Sequence, residues 1–391
     1  MKVAILGGGP SGAFAAERLA SAGVRTILID EKLAWEKPCG GGLTYKAYNE
    51  YPFLLHNDKP KRIIRETVLT APKAGSFTLQ LRDPLVIYSR YELNNFLLER
   101  ADQAGAQIEK IRVTRMERVD HGWKLHTKAG SIDADFCLVA TGARNPLRDT
   151  GTALTPNDTM SALGYFVPGN RERIDIQFLD RLEGYIWVFP RAGHMSVGIC
   201  GKGVPACELR KLLEFYMEEQ GLRREGATFY SHLLPCLESH AWKKNRVAGD
   251  GWMAVGDAAG LVDPITGEGL YYAMRSADLA SRTLLNEALE RTEQAYRRLL
   301  RRDFAADLEL GSRLAQRFFH GKYLFGAVPA RMIQFTRRSP TFRAIMQDLF
   351  SGTQNYIGLK GRLLRNLHGS LFEILGSFGF SRLVPRKDIA A

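Results

Sequence analysis

The chain opens on an apolar run, Val3-Ala4-Ile5-Leu6, that leads directly into Gly7-Gly8-Gly9-Pro10-Ser11-Gly12. No other feature constrains the fold as tightly. A short buried strand that turns through glycines into a helix gathers free backbone N–H groups at one point, and a phosphate can reach them because no side chain intervenes. Gly7, Gly9 and Gly12 supply the tight turn, the close approach, and the packing of helix on strand. The next apolar run, Thr26-Ile27-Leu28-Ile29, ends at Asp30, 18 residues beyond Gly12. A carboxylate at about that distance is placed to hold the hydroxyls of an adenine ribose. Strand, glycine triplet, helix and acid in register predict an α/β nucleotide-binding unit.

The chain's 391 residues suffice for two lobes, since domains run to about 100–200 residues. A hydrophobic fraction of 45% reads as globular. No charge-free run approaches the roughly 18 apolar residues of a spanning helix, and the N-terminus enters its first strand without a basic signal region. A cytoplasmic location is therefore expected. Cys39, Cys137, Cys200, Cys207 and Cys236 stand singly, without the spacing of a zinc site or a disulfide framework, so reduced thiols and no metal are expected.

The net charge of +12 is concentrated near the C-terminus, where 13 Lys and Arg face three acids between Arg313 and Asp388. Basic residues alternate there with apolar and aromatic ones, as in Leu359-Lys360-Gly361-Arg362-Leu363-Leu364-Arg365. Such a surface suits anionic lipid headgroups or a phosphorylated substrate, and places the protein peripherally on the inner face of a membrane. Solvated faces of terminal helices would carry the same charge. No recognition motif accompanies it, so nucleic acid is not an expected partner.

Along the chain, residues 2 to 30 read as strand, helix, strand. Residues 35 to 60 read as loop and short helix. Leu93, Phe96, Leu97 and Ala101 recur at helical spacing between Tyr91 and Ala104, which puts Arg90 at a helix start. Short β-type runs from Gln107 to Ala140 suggest antiparallel strands beside a parallel sheet, with Phe136-Cys137-Leu138-Val139 returning to it. A second group of alternating runs, near 162–168, 173–179, 184–189 and 195–200, predicts a separate sheet. A helix follows Pro205, Trp252-Met253-Ala254-Val255 reads as a buried strand, and the pattern is helical after 270.

A second motif is Val255-Gly256-Asp257-Ala258-Ala259-Gly260, followed by Asp263-Pro264-Ile265-Thr266-Gly267-Glu268-Gly269. An acid at a strand end can hold a sugar or ribityl hydroxyl, and a glycine-flanked helix start offers backbone N–H groups to an electron-rich cofactor edge. With the N-terminal glycines and the Arg90 helix, this pattern resembles the FAD-dependent oxidoreductases of the para-hydroxybenzoate hydroxylase superfamily over roughly residues 1 to 290. The resemblance implies FAD, with adenosine near Asp30 and its neighbour Glu31, pyrophosphate over Gly7 to Gly12, Arg90 near the pyrophosphate and ribityl chain, and Asp257 on that chain. It also implies a flavin ring near Pro264 to Gly269. The implied FAD site takes in Gly7, Gly9, Pro10, Ser11, Gly12, Asp30, Glu31, Gly41, Gly42, Arg90, Thr141, Gly142, Gly256, Asp257, Pro264, Gly267, Glu268 and Gly269.

Two further stretches resemble the geranylgeranyl reductase branch. One is Pro38-Cys39-Gly40-Gly41-Gly42-Leu43; the other is Gly184-Tyr185-Ile186-Trp187-Val188-Phe189-Pro190, a Tyr-x-Trp-x-Phe-Pro box. Alternation would put Tyr185, Trp187 and Phe189 on one strand face, an aromatic wall that ends at Pro190 and suits a polyprenyl chain, although aromatics at period two also make plain core. The resemblance implies reduction of carbon–carbon double bonds in polyprenyl chains of lipids or isoprenoid diphosphates; Cys39 is then the catalytic residue expected to shape or protonate the reacting centre, with Tyr185 and Tyr271 as further candidate proton donors. NADPH, ferredoxin or another donor would supply the electrons. Where the superfamily carries an Asp-Gly pair this chain has Thr141-Gly142, and Leu182-Glu183 lacks the proline common before the box. An aromatic monooxygenase, a halogenase-like enzyme and a non-catalytic lipid-binding flavoprotein are the alternatives. The architecture expected is α/β: a Rossmann-like FAD-binding domain (1–160 and 245–290), an inserted antiparallel-sheet substrate domain (161–244), and a helical basic C-terminal region (291–391).

Overall fold

The fold, taken from a computed structural model, is described for residues 1–147, 149–323, 326–359, 361–363 and 365. In chain order the first elements are β1 (Lys2–Leu6), α1 (Pro10–Ser21), β2 (Arg25–Ile29), β3 (Gly42–Leu43), α2 (Tyr45–Glu50), β4 (Arg62–Ala71), β5 (Gly75–Ile87) and α3 (Arg90–Gln103). Then come β6 (Gln107–Glu109), β7 (Val113–Val119), β8 (Gly122–Thr127), β9 (Gly130–Ala134), β10 (Phe136–Val139), β11 (Thr159–Pro168), β12 (Ile174–Phe178), β13 (Gly184–Pro190) and β14 (His194–Gly201). The chain continues through α4 (Ala206–Glu219), β15 (Thr228–Pro235), β16 (Ala248–Gly249), β17 (Trp252–Ala254), α5 (Leu270–Asn286), α6 (Thr292–Leu300), α7 (Ala306–His320), α8 (Val328–Arg338) and α9 (Pro340–Ser351).

The first sheet has the order β16-β17-β10-β1-β2-β6. All its pairings are parallel except β16 with β17. Val3 to Leu6, Ile27 to Ile29 and Phe136 to Val139 are buried on both faces, which is why these strands read as unbroken apolar runs rather than alternating ones. Helix α1 packs against α3 and α5, and an Arg100–Glu17 ion pair ties it to α3. The strands β7, β8 and β9 form the small antiparallel sheet that interrupts this unit before β10 rejoins it.

The second sheet has eight strands, β15-β11-β14-β13-β12-β4-β5-β3, antiparallel throughout except for β12 with β4. Four of the alternating runs expected as a separate sheet are its strands β11 to β14. Three more strands come from 42–87, so the sheet takes chain from before as well as within 161–244. Its two faces are covered differently. On one face Ile186, Val188, Val197 and Ile199 meet Leu209, Leu213 and Met217 of α4. On the other, Leu69, Ile176, Phe178 and Trp187 share a core with Phe319, Ile333 and Met346 of α7, α8 and α9. The helical pattern expected after 270 is present through α9, interrupted where Lys322–Tyr323 pairs antiparallel with Gly326–Ala327. Residues 366–391, part of the expected basic region, lie outside the described residues, as do Lys360 and Leu364.

Candidate functional site

The turn after β1 is built by steric demand. Gly7 has φ +118°, and a Cβ on Gly12 would stand 1.8 Å from the Gly7 carbonyl oxygen. A Cβ on Gly9, by contrast, would meet nothing within 4 Å. Pro10 is the first residue of α1 and no side chain caps the helix, so its leading N–H groups face the open space beside Gly9. The Asp30 carboxylate accepts the N–H of Gly8 at 2.8 Å and those of Lys32 and Leu33 at 2.7 Å each, which locks the end of β2 to this turn.

That open space continues into a cavity of about 960 Å³. Its polar part is lined by Gly9, Ser11, Lys37, Arg90, His232 and Asp257. Arg90 is buried at the start of α3, where Ser89 caps the helix by accepting the Glu92 N–H. One Arg90 amino group donates to Asn94 Oδ1 at 3.2 Å, while its buried Nε has no partner. His232 Nε2 is likewise buried and unpaired. Burial, followed by the nearby Lys37 charge, pushes the His232 imidazole down to about 4, so it is neutral at physiological pH. Asp257 pairs with Lys37 at 3.6 Å.

The apolar part runs between the eight-stranded sheet and helices α7 to α9, past Ile176, Phe178, Leu234, Phe318, Met332 and Met346. Tyr185, Trp187 and Phe189 line it from β13, on the face opposite Ile186 and Val188. Phe189 lies across the Cys39–Gly42 loop, where a Cβ on Gly42 would come within 2.9 Å of its ring. The Tyr185 hydroxyl donates to the Thr266 carbonyl, and burial holds its pKa well above 10. Cys39 Sγ accepts the Gly41 N–H at 3.3 Å.

Of the residues expected from the sequence, Gly9, Pro10, Ser11, Cys39, Gly41, Gly42, Arg90, Gly142, Tyr185, Trp187, Phe189, Asp257, Gly267, Glu268 and Gly269 line this single cavity. Gly7, Gly12, Asp30, Thr141, Pro190, Gly256 and Pro264 stand behind the lining. Thr141 donates to Asn145 Oδ1, and the Gly256 N–H donates to Ser276 Oγ. Glu31 faces a separate recess with Arg112, 3.6 Å away.

The sequence reading missed Arg191, the largest fully buried side chain. It donates to Glu36 and to the carbonyl oxygens of Cys39 and Gly40, and so holds the cysteine–glycine loop against the sheet. Its position directly after Pro190 was the available signal. Lys37, Lys46, His232 and Tyr356 carried none, because lone lysines, histidines and tyrosines are ordinary in any sequence. Among the described residues no group of side chains could hold a metal ion.

With this geometry in view, residues 1–163 match the family model described as pyridine nucleotide-disulphide oxidoreductase. The chain is 28% identical over 341 residues to the chloroplastic geranylgeranyl diphosphate reductase of Oryza sativa subsp. japonica, covering 78% of this chain and 71% of that one. It is 27% identical to digeranylgeranylglycerophospholipid reductase 2 of Methanothermobacter thermautotrophicus, covering 83% and 88%. Among solved structures, a geranylgeranyl bacteriochlorophyll reductase-like protein of Thermoplasma acidophilum superposes with a TM-score of 0.68 at 22% identity, covering 89% and 98%. Flavin-dependent halogenases share the fold at 16–18% identity. The residues present fit an FAD. The side-chain-free hollow at Gly9, the uncapped helix start and the orphaned Arg90 Nε suit a pyrophosphate, and Asp257 stands in the same cavity to receive hydroxyls.

Proposed function

We propose, for a chain that is an FAD-dependent oxidoreductase of the superfamily containing the geranylgeranyl reductases, the reduction of isolated carbon–carbon double bonds in a polyprenyl chain carried by a lipid or an isoprenoid diphosphate. One observation carries this reading: the cofactor cradle opens into a channel walled by the β13 aromatics and roofed by Phe318, Met332 and Met346. An unactivated alkene offers no charge to grip, so a shaped apolar channel must supply orientation and exclude water. The bound FAD, once reduced, supplies the hydride. The N–H groups at Gly9 and Ser11 and the Arg90 guanidinium bind its phosphates, and Asp257 its ribityl hydroxyls. Arg191 fixes the Cys39 loop, and Tyr185, Trp187 and Phe189 hold the prenyl chain; Cys39 and Tyr185 are the proton donors that the sequence nominates.

Anaerobic, chemically reduced protein given a geranylgeranyl lipid should reoxidise and release a product heavier by two hydrogens per bond. Unchanged flavin absorbance across lipid substrates, together with phenol-stimulated oxygen uptake, would replace this reading with oxygen chemistry. NADPH and ferredoxin are the electron donors to compare in the same assay. No helix among the described residues is long and apolar enough to cross a membrane. The basic C-terminal stretch supports peripheral docking on anionic lipid, and flotation equal on neutral and anionic vesicles would remove that role.

A further inference from the structure

Reduction of an alkene consumes a proton as well as a hydride. The Tyr185 hydroxyl, already given to the Thr266 carbonyl, is a weak source. Glu268 is placed differently. It lies on the loop between the cofactor cradle and α5, lines the cavity, and accepts the Tyr271 N–H at 3.1 Å. By area it is half-buried, its exposure being to the cavity, and protein encloses it closely. The polar and titratable groups that face it are Thr44 and Lys46 at the start of α2, Asp263 from its own loop, Tyr271 and Tyr272 from α5, and Tyr185 from β13, while Asp307 of α7 acts on Lys46 and Tyr272 beside it. Burial, then the neighbouring Asp263, pushes the Glu268 carboxyl up to about 7, against the opposing pull of the Tyr271 N–H and, more weakly, of Lys46. The Lys46 ammonium lies over the Tyr271 ring, 4.3 Å from its centre, and 5.2 Å from that of Tyr272. Besides Glu268 it senses Asp307 and Asp303, and Asp303 belongs to the outer Arg275 network.

We propose that Glu268 is the acid of the site, giving its proton to the reacting alkene and regaining one from water. This rests on the reading of the chain as a polyprenyl reductase. In the step, one olefinic carbon takes a hydride from the reduced flavin and the other takes the proton of the Glu268 O–H. The π bond breaks, two C–H bonds form, the flavin is left oxidised, and Glu268 is left as a carboxylate. The carboxylate recovers its proton from water that enters the cavity as the product leaves.

The test uses full-length holoenzyme, reduced anaerobically and mixed with a geranylgeranyl lipid. The first-turnover rate of the wild type should fall as pH rises through about 7. Glu268→Gln should lower that rate by about 100-fold at acidic pH and abolish the break, while Glu268→Asp restores part of both. Lys46→Met removes a charge that pulls the Glu268 carboxyl down, so it should move the break to higher pH.

A second readout needs no turnover. A carboxyl raised from 4.5 to about 7 costs the folded state nothing below 4.5 and progressively more as pH climbs through 7. Wild type should therefore lose thermal stability relative to Glu268→Gln across that window. A carboxyl that titrates at its ordinary value would give a pH-independent offset.

An unaltered rate and break in Glu268→Gln, or a pH-independent stability difference, would overturn the proposal while leaving the reductase reading intact. If the wild type itself is reoxidised by no polyprenyl lipid, the reductase reading fails and takes the proposal with it. Should Glu268→Gln not retain FAD, the rate and pH break of Glu268→Asp decide.

Discussion

Gly9 and Gly12 stand three residues apart in one motif, yet they exclude a side chain for opposite reasons. A methyl on Gly12 would enter the Gly7 carbonyl, and both partners are backbone that cannot step aside. Gly12→Ala should prevent the nucleotide unit from folding, seen as insoluble or unfolded protein. A methyl on Gly9 enters only the hollow, so Gly9→Ala should leave thermal stability within about 0.5 kcal/mol while the purified protein loses most of its flavin absorbance. Arg191 makes a comparable point with charge. Its guanidinium is completely buried and reaches Glu36 and two carbonyls together, so Arg191→Met leaves two loop carbonyls without their donor and Glu36 without its charge partner, and should cost about 3 kcal/mol in denaturant unfolding. Arg191→Lys should rescue little of this, because an ammonium cannot span the same three acceptors.

At the scale of elements, β13 works because the strand period separates its two jobs. Ile186 and Val188 face α4 and stabilise the sheet, while Tyr185, Trp187 and Phe189 face the channel. The Trp187 ring can lie flat only because Gly198, its partner on β14, has no side chain; a Cβ there would come within 2.3 Å of the ring. Gly198→Ala should push the indole into the channel, cost about 2 kcal/mol, and slow reoxidation by long prenyl lipids more than by short ones. Helix α9 supplies the facing wall through Phe342, Ile345, Met346 and Leu349, residues spaced to share one helical face.

At the scale of the molecule, one tyrosine joins the C-terminal helices to the cofactor loop. The Tyr356 hydroxyl reaches both oxygens of buried Asp263, at 2.8 and 2.9 Å, while the Tyr356 and Ile357 N–H groups donate to Asp307. The segment after α9 therefore closes over the loop that carries Glu268. Tyr356→Phe removes the hydroxyl alone and leaves Asp263 its two backbone donors, so it should cost about 2 kcal/mol and speed FAD release. Dissociation of the flavin under dilution, followed by fluorescence, would measure this, and release at the wild-type rate would show that the roof and the loop are not coupled.

The sequence by itself determined the nucleotide-binding unit, since a glycine turn, a parallel-sheet strand and a helix start are specified by residues adjacent in the chain. The strand face of the aromatic box was legible for the same reason, through its period of two. The strands at 62–71 and 75–87 were not read, because no motif marks them and the first joins the sheet by pairing with β12, more than 100 residues away, with the second added beside it as a hairpin. Only the tertiary structure decided that Arg191 clamps the Cys39 loop, that Tyr185 spends its hydroxyl on Thr266, and that Lys46 and Asp263 act on Glu268 while Tyr356 holds Asp263. These contacts join residues from distant parts of the chain, and the perturbed protonation they produce depends on burial, which no local pattern encodes.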